Sequence, residues 1–137
     1  MKYLIILLLF SVQTAVAQDA NEFEAVTTTL NYYLDGGTNN DFNTLKQAFH
    51  PDASMQFITG EGEHQNVNAL EFFGSRMKPG PKSDRQTRIT SIEINGTAAS
   101  ARIEIDYETF RFIDYMNLLK IDGEWKIVSK IFYRESR

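Results

Sequence analysis

Cysteine is absent from the 137-residue chain. No disulfide framework can brace the fold, and no thiolate can serve as nucleophile or metal ligand. Histidine is scarce: His50 and His64 are the two copies, and they form no i,i+4 ligand pair. "EGEH" at 61–64 is thin support for a metal site, and no metal or cofactor is expected. Proline occurs three times, twice in "KPGPKSD" at 78–84, which marks a loop. No repeat, low-complexity tract, Gly-rich phosphate loop or Gly-x-Ser-x-Gly elbow is present, so the common nucleotide-binding and serine-hydrolase signatures are missing. Basic residues are outnumbered, 14 against 18 acidic ones, which argues against general nucleic-acid binding. A long apolar run is lacking too. The stretch from Tyr3 to Val12 is too short for a bilayer, which needs about 20 apolar residues.

What is present begins with a leader. "MKYLIILLLFSVQTAVAQ" has one Lys, an apolar run and Ala15-Val16-Ala17. That is the charged, apolar, small-residue order of a secretory signal peptide cleaved after Ala17. Residues 1–17 are therefore expected to be a signal peptide, and the product to be secreted or periplasmic, with no stable membrane anchor after cleavage. Residues 18–137 suit one domain with a modest core.

The first half of that domain reads as helices. In "NEFEAVTTTLNYYLDGG", Phe23, Val26, Leu30 and Tyr33 or Leu34 recur at helical spacing, and Gly36-Gly37 offers a left-handed stop. "NNDFNTLKQAFHP" reads as a short helix capped by Asn40 or Asp41 and halted by Pro51. "ASMQFIT" is a short strand, and "NVNALEFFGSRM" a third helix. From Arg85 to Tyr133 the chain reads as strands. Asn95-Gly96 and Asp122-Gly123 mark two-residue hairpin turns, with a weaker turn at Glu108-Thr109. The layout is α+β, helices on one face of a curved antiparallel meander of about four strands.

Opposed residues share a face. The Asp-Gly turn pairs Ile121 with Glu124, which sets Met116 against Ser129 and Asp114 against Ile131. The Asn-Gly turn sets Arg88 against Ile103. One face then collects Ile92, Ile94, Ala99, Ala101, Ile103, Ile105, Tyr107, Phe110, Phe112, Met116, Leu118, Trp125, Ile127, Ile131 and Tyr133. Arg88, Ile103, Asp114 and Ile131 form one row across it. The opposite face carries Ile113, Tyr115, Leu119, Val128 and Phe132 beside Arg111, Lys126, Lys130 and Arg134. Such a half-apolar patch points either to side chains folding over it or, the preferred reading, to a homodimer packed sheet to sheet.

Asp114 is the chemical oddity, an acid on the apolar face. Burial raises a carboxyl's pKa and a nearby Arg lowers it. Neighbouring strands lie about 4.8 Å apart, so Arg88 could reach Asp114 across the row. Asp114 is either a polar anchor at the base of a pocket or a structural group that fixes how the helices dock. His50 is a candidate base or donor, or else a helix cap. One of Tyr32 and Tyr33 would line a cavity mouth, and Phe112 and Trp125 would wall it.

The stretches "AVTTTLNYYLDGGTNNDFNTLKQAFHPDASMQFI" and "FIDYMNLLKIDGEWKIVSKIF" resemble the nuclear transport factor two-like superfamily, and within it the "putative lumazine-binding" family. The resemblance implies a strongly bent sheet wrapping the N-terminal helices into a cone with an internal pocket, and dimers through the outer sheet face. It extends to polyketide cyclases and ketosteroid isomerase, where a carboxylate in an apolar cavity abstracts a proton. No motif here matches that isomerase's oxyanion-hole acid and tyrosine. The expectation is an exported domain that binds a small, partly apolar molecule through Tyr32, His50, Arg88, Phe112, Asp114 and Trp125. The alternative is a cyclase- or isomerase-like enzyme with Asp114 or His50 as general base. Binding is preferred to catalysis.

Overall fold

The structure, a computed structural model, describes residues 19–137. The expected signal peptide at 1–17 lies outside them. Helix α1 is Lys2–Thr38, and in its described part Val26, Leu30, Tyr33 and Leu34 are buried. Their i, i+4, i+7, i+8 spacing places them on one face, toward the sheet. Phe23, expected in that stripe, is 52 % exposed. Gly36 and Gly37 do not stop the helix, which runs past them; the positive φ falls on Asn40, at 54°. Gly36 serves close approach instead, since a Cβ there would stand 2.7 Å from the Cα of Leu45.

Helix α2 (Phe42–Leu45) is capped by Asp41, whose carboxylate accepts the Thr44 N–H at 3.1 Å. It tightens into a 3₁₀ turn at Lys46–Ala48. Strand β1 (Phe49–Ile58) follows at once, so His50 and Pro51 sit in a strand and not at a helix end. Strand β2 (His64–Asn68) occupies residues that read as the start of the third helix. Helix α3 (Ala69–Arg76) starts only after Asn68, whose side chain accepts the Glu71 N–H at 3.0 Å. Strands β3 (Gln86–Asn95), β4 (Ala98–Asp106), β5 (Phe110–Ile121) and β6 (Glu124–Ser136) complete the chain.

The six strands form one sheet in the order β2-β1-β6-β5-β4-β3. β1 runs parallel to β6 and the other pairs are antiparallel, so the sheet is mixed where a pure meander was expected. The α+β layering with helices over one face is as expected. The strongly bent cone with an internal pocket is not: the sheet is open, β2 and β3 are both edges, and it is neither closed nor strongly curled. A sheet curls to enclose space, and here the space is filled. Tyr33, Phe49 and Phe73 pack over its inner face with centroids 5.7 to 5.9 Å apart.

Two β-bulges decide which side chains point inward. In β6 the pairing steps from Leu118–Ile127 to Asn117–Ser129, leaving Val128 over. In β3 it steps from Ile89–Ile103 to Ser91–Arg102, leaving Thr90 over. An extra residue reverses the facing of everything beyond it. Asp114 therefore pairs with Phe132, not Ile131, and Lys130 pairs with Met116 on the inner face. Arg88 pairs with Glu104 on the outer face, and Ile89 takes its place in the row. Ile131 and Tyr133 leave the expected core and are 53 % and 64 % exposed. The Asp122-Gly123 turn forms as expected, with φ of 51° and 83°.

Candidate functional site

At the centre of the inner face Asp114 is fully buried, at 0 % exposure. Two elements converge on it, β6 and α1. Lys130 of β6 donates to its Oδ1 at 2.8 Å, and Tyr33 of α1 donates to its Oδ2 at 2.7 Å. Lys130 is itself 4 % exposed. Burial pulls the Lys130 ammonium below its ordinary range, while the Asp114 carboxylate pushes it back up. Burial and the adjacent Asp114 charge raise the Tyr33 hydroxyl well above its usual value, so it stays a donor. The Lys130 Nζ also lies 4.0 Å from the Phe132 ring centroid. No buried side-chain nitrogen or oxygen among the described residues lacks a partner.

Arg85, in the segment before β3, makes a second polar joint. It donates to the Leu34 carbonyl at 3.0 Å, the Thr38 hydroxyl at 2.9 Å and the Tyr107 hydroxyl at 3.1 Å. It thus ties the end of α1 to the segment between β4 and β5.

The residues singled out in the sequence do not converge. Arg88 lies on the outer face, paired with Glu104 and, at 2.6 Å, with Asp106. Those pairings, with Arg102 at 2.7 Å, hold the Glu104 carboxyl down at about 2. The His50 Nδ1 accepts the Asp52 N–H at 3.2 Å, a local turn contact at the start of β1. Tyr32, exposed, and Trp125, buried, share a shallow cleft between α1 and the β5–β6 turn. Trp125 donates from Nε1 to Glu22 at 2.7 Å, and Glu22 also pairs with Lys120 at 2.6 Å, so these groups clamp α1 to the sheet. Phe112 lies on the inner face, edge-on to Phe132 at 5.5 Å. Of the six, Asp114 and Phe112 belong to the central cluster, and Lys130 and Tyr33 complete it. A sign of Lys130 was available: Ile127 and Val128 are consecutive apolar residues in a strand, which breaks the two-residue alternation and marks a bulge.

None of Asp114, Lys130 and Tyr33 lines a cleft described here. A cleft of about 560 Å³ opens one ring away, between α3 and the β1–β2 hairpin. Its apolar wall is Phe57, Val67 and Phe72, and its polar groups include Gln65, Glu71 and Arg76. Phe57 stacks on Phe132 at 4.7 Å and meets Phe72 at 5.9 Å. The row Asp114–Phe132–Phe57–Gln65 therefore runs from the buried cluster to the cleft floor. The Arg76 guanidinium lies over the Phe72 ring at 3.8 Å.

Residues 21–133 match the family model described as "Putative lumazine-binding". An NTF2-like protein of unknown function from Shewanella baltica OS155 superposes with a TM-score of 0.77 at 32 % identity, covering 85 % of this chain and 95 % of that one. Another from Methylobacillus flagellatus KT gives 0.74 at 32 % identity, over 84 % and 93 %. An aldolase, FrzH of a Cladobotryum species, is 25 % identical over 119 residues, 86 % of this chain and 95 % of that protein.

Proposed function

Because the chain belongs to the "Putative lumazine-binding" family, whose relatives above share the NTF2-like fold, we propose that it is an exported domain that binds a small, partly apolar molecule in the cleft between α3 and the β1–β2 hairpin. The observation that carries this reading is the cleft itself. It has the size of a small-molecule site, and its aromatic floor is braced from behind by a buried ion pair. Phe57 cannot tilt away without disturbing Phe132, which is held by the Lys130 ammonium over its ring. Among the described residues the α1 contacts of Glu22 with Trp125 and Lys120 lie beyond residue 17, so they do not depend on the leader.

The test is native mass spectrometry of protein isolated from its own host, wild type beside Val67→Trp. Val67 lines the cleft, and an indole there obstructs its apolar wall. The expected result is a small molecule of a few hundred daltons retained by the wild type and lost in the variant. Equal retention by both would place the ligand elsewhere and end this reading.

A second reading, an enzyme, is favoured by the likeness to an aldolase. The same spectra decide it after incubation in D2O and return to H2O: proton abstraction leaves carbon-bound deuterium in the retained molecule, and a molecule that gains none removes the enzyme.

A further inference from the structure

Resting on the cleft reading above, we infer that the ligand is a planar aromatic acid: its ring continues the Phe132–Phe57 stack over Gln65, and its carboxylate pairs with Arg76. Phe132 and Phe57 are adjacent in one row of the inner face and stack at 4.7 Å with 28° between their planes. The next position in that row is Gln65, on the edge strand β2. Gln65 is not aromatic, so the stack ends there, and there the cleft opens. A flat ring inserted at this point replaces the missing third layer. Offset stacking of such rings is favourable at centroid separations of about 4.5–7 Å.

The charge of the ligand follows from the helix above. Phe72 and Arg76 are one turn apart on α3, and the guanidinium carbon lies 3.8 Å from the Phe72 ring centroid. Among the described residues Arg76 has no carboxylate within ion-pair distance; nor have Arg134 and Arg85, the latter committed to three oxygen acceptors, while Arg88, Arg102, Arg111 and Arg137 each have at least one. Its one side-chain hydrogen bond is a 3.5 Å contact to the neighbouring Ser75 hydroxyl. A planar guanidinium held against a ring presents its free N–H groups as a fork that matches a carboxylate. Glu71 also lines the cleft, and its charge disfavours an anion at the N-terminal end of α3. The carboxylate is thereby directed to the Arg76 end, and the ring to the Phe57 end. The Gln65 amide, able both to donate and to accept, faces the ring edge and suits a ring heteroatom or carbonyl.

The test uses 2-naphthoate and its neutral isostere 2-naphthamide, titrated into the full-length protein and followed by amide chemical shifts and calorimetry. The expected result is that the acid binds wild type about tenfold or more tighter than the amide, with shifts centred on Phe57, Gln65 and Arg76. In Arg76→Gln the preference disappears while amide binding is unchanged. Equal binding of acid and amide to the wild type, with shifts still in the cleft, overturns the acid and leaves the cleft standing. Shifts from neither probe at the cleft overturn both. Thermal melting of Arg76→Gln alongside wild type ensures that a lost preference is not lost folding.

Discussion

Asp114 receives both of its hydrogen bonds from buried side chains, one ammonium and one phenol. Removing one partner of such a pair strands a charge and costs about 3–5 kcal/mol, whereas an apolar replacement of the whole set is close to neutral. Lys130→Met is therefore expected to lose about 3–5 kcal/mol in urea melts. Asp114→Asn falls in the same range, because the amide leaves the Lys130 charge without a counter-ion. The triple variant Tyr33→Phe, Asp114→Leu, Lys130→Met leaves no polar atom behind and should recover most of that loss. A Lys130→Met protein as stable as wild type would mean that the pair is not buried as described. This outcome matters for function, since the cluster holds Phe132, and Phe132 holds the cleft floor.

Among the elements, α1 and α2 meet where Gly36 lies against the backbone of Leu45. The contact is to main chain, so no side-chain rotation relieves it. Gly36→Ala gains helix propensity but overpacks this joint, and the net expectation is a loss of about 1–3 kcal/mol, read by thermal melting. A stabilised Gly36→Ala would show that the joint gives way. The pair of glycines read as a helix stop, yet the helix runs past it to Thr38; the real reason for Gly36 was not legible, because close approach between two elements leaves no local trace. The strands show the same division. Asp122-Gly123 fixed the last hairpin, and Ile121–Glu124 and Ile103–Asp114 pair as the turns imply. The bulges at Thr90 and Val128 then moved Arg88 out and Lys130 in. Each leaves a mark in the apolar spacing, Ile89 to Ile92 and Ile127 to Val128, neither of which fits a period of two. Strand β2 was harder to read, since "HQNVN" has one apolar residue and is strand only because β1 lies beside it.

For the whole molecule, the bulge in β6 has a consequence for assembly. By turning Ile131 and Tyr133 outward it enlarges the apolar part of the outer face, where Tyr115 and Leu119 are also exposed and Ile58 joins from β1. Beside this patch Arg88, Arg102 and Arg111 alternate with Glu104, Asp106 and Glu135. A surface that carries both charges next to an apolar strip is able to face a copy of itself, as a two-fold interface requires. We propose that the protein is a homodimer through this face. The measurement is sedimentation velocity at tens of micromolar, with Ile131→Lys plus Tyr133→Lys as the variant. Both positions are more than half exposed, so the double change leaves the fold intact while placing four like charges in a symmetric interface. Wild type should sediment as a dimer and the variant as a monomer with an unchanged melting profile. A monomeric wild type, or a variant that remains dimeric, would remove the outer face as the interface. The cleft between α3 and the β1–β2 hairpin lies on the opposite side of the sheet, so ligand binding should be the same in monomer and dimer.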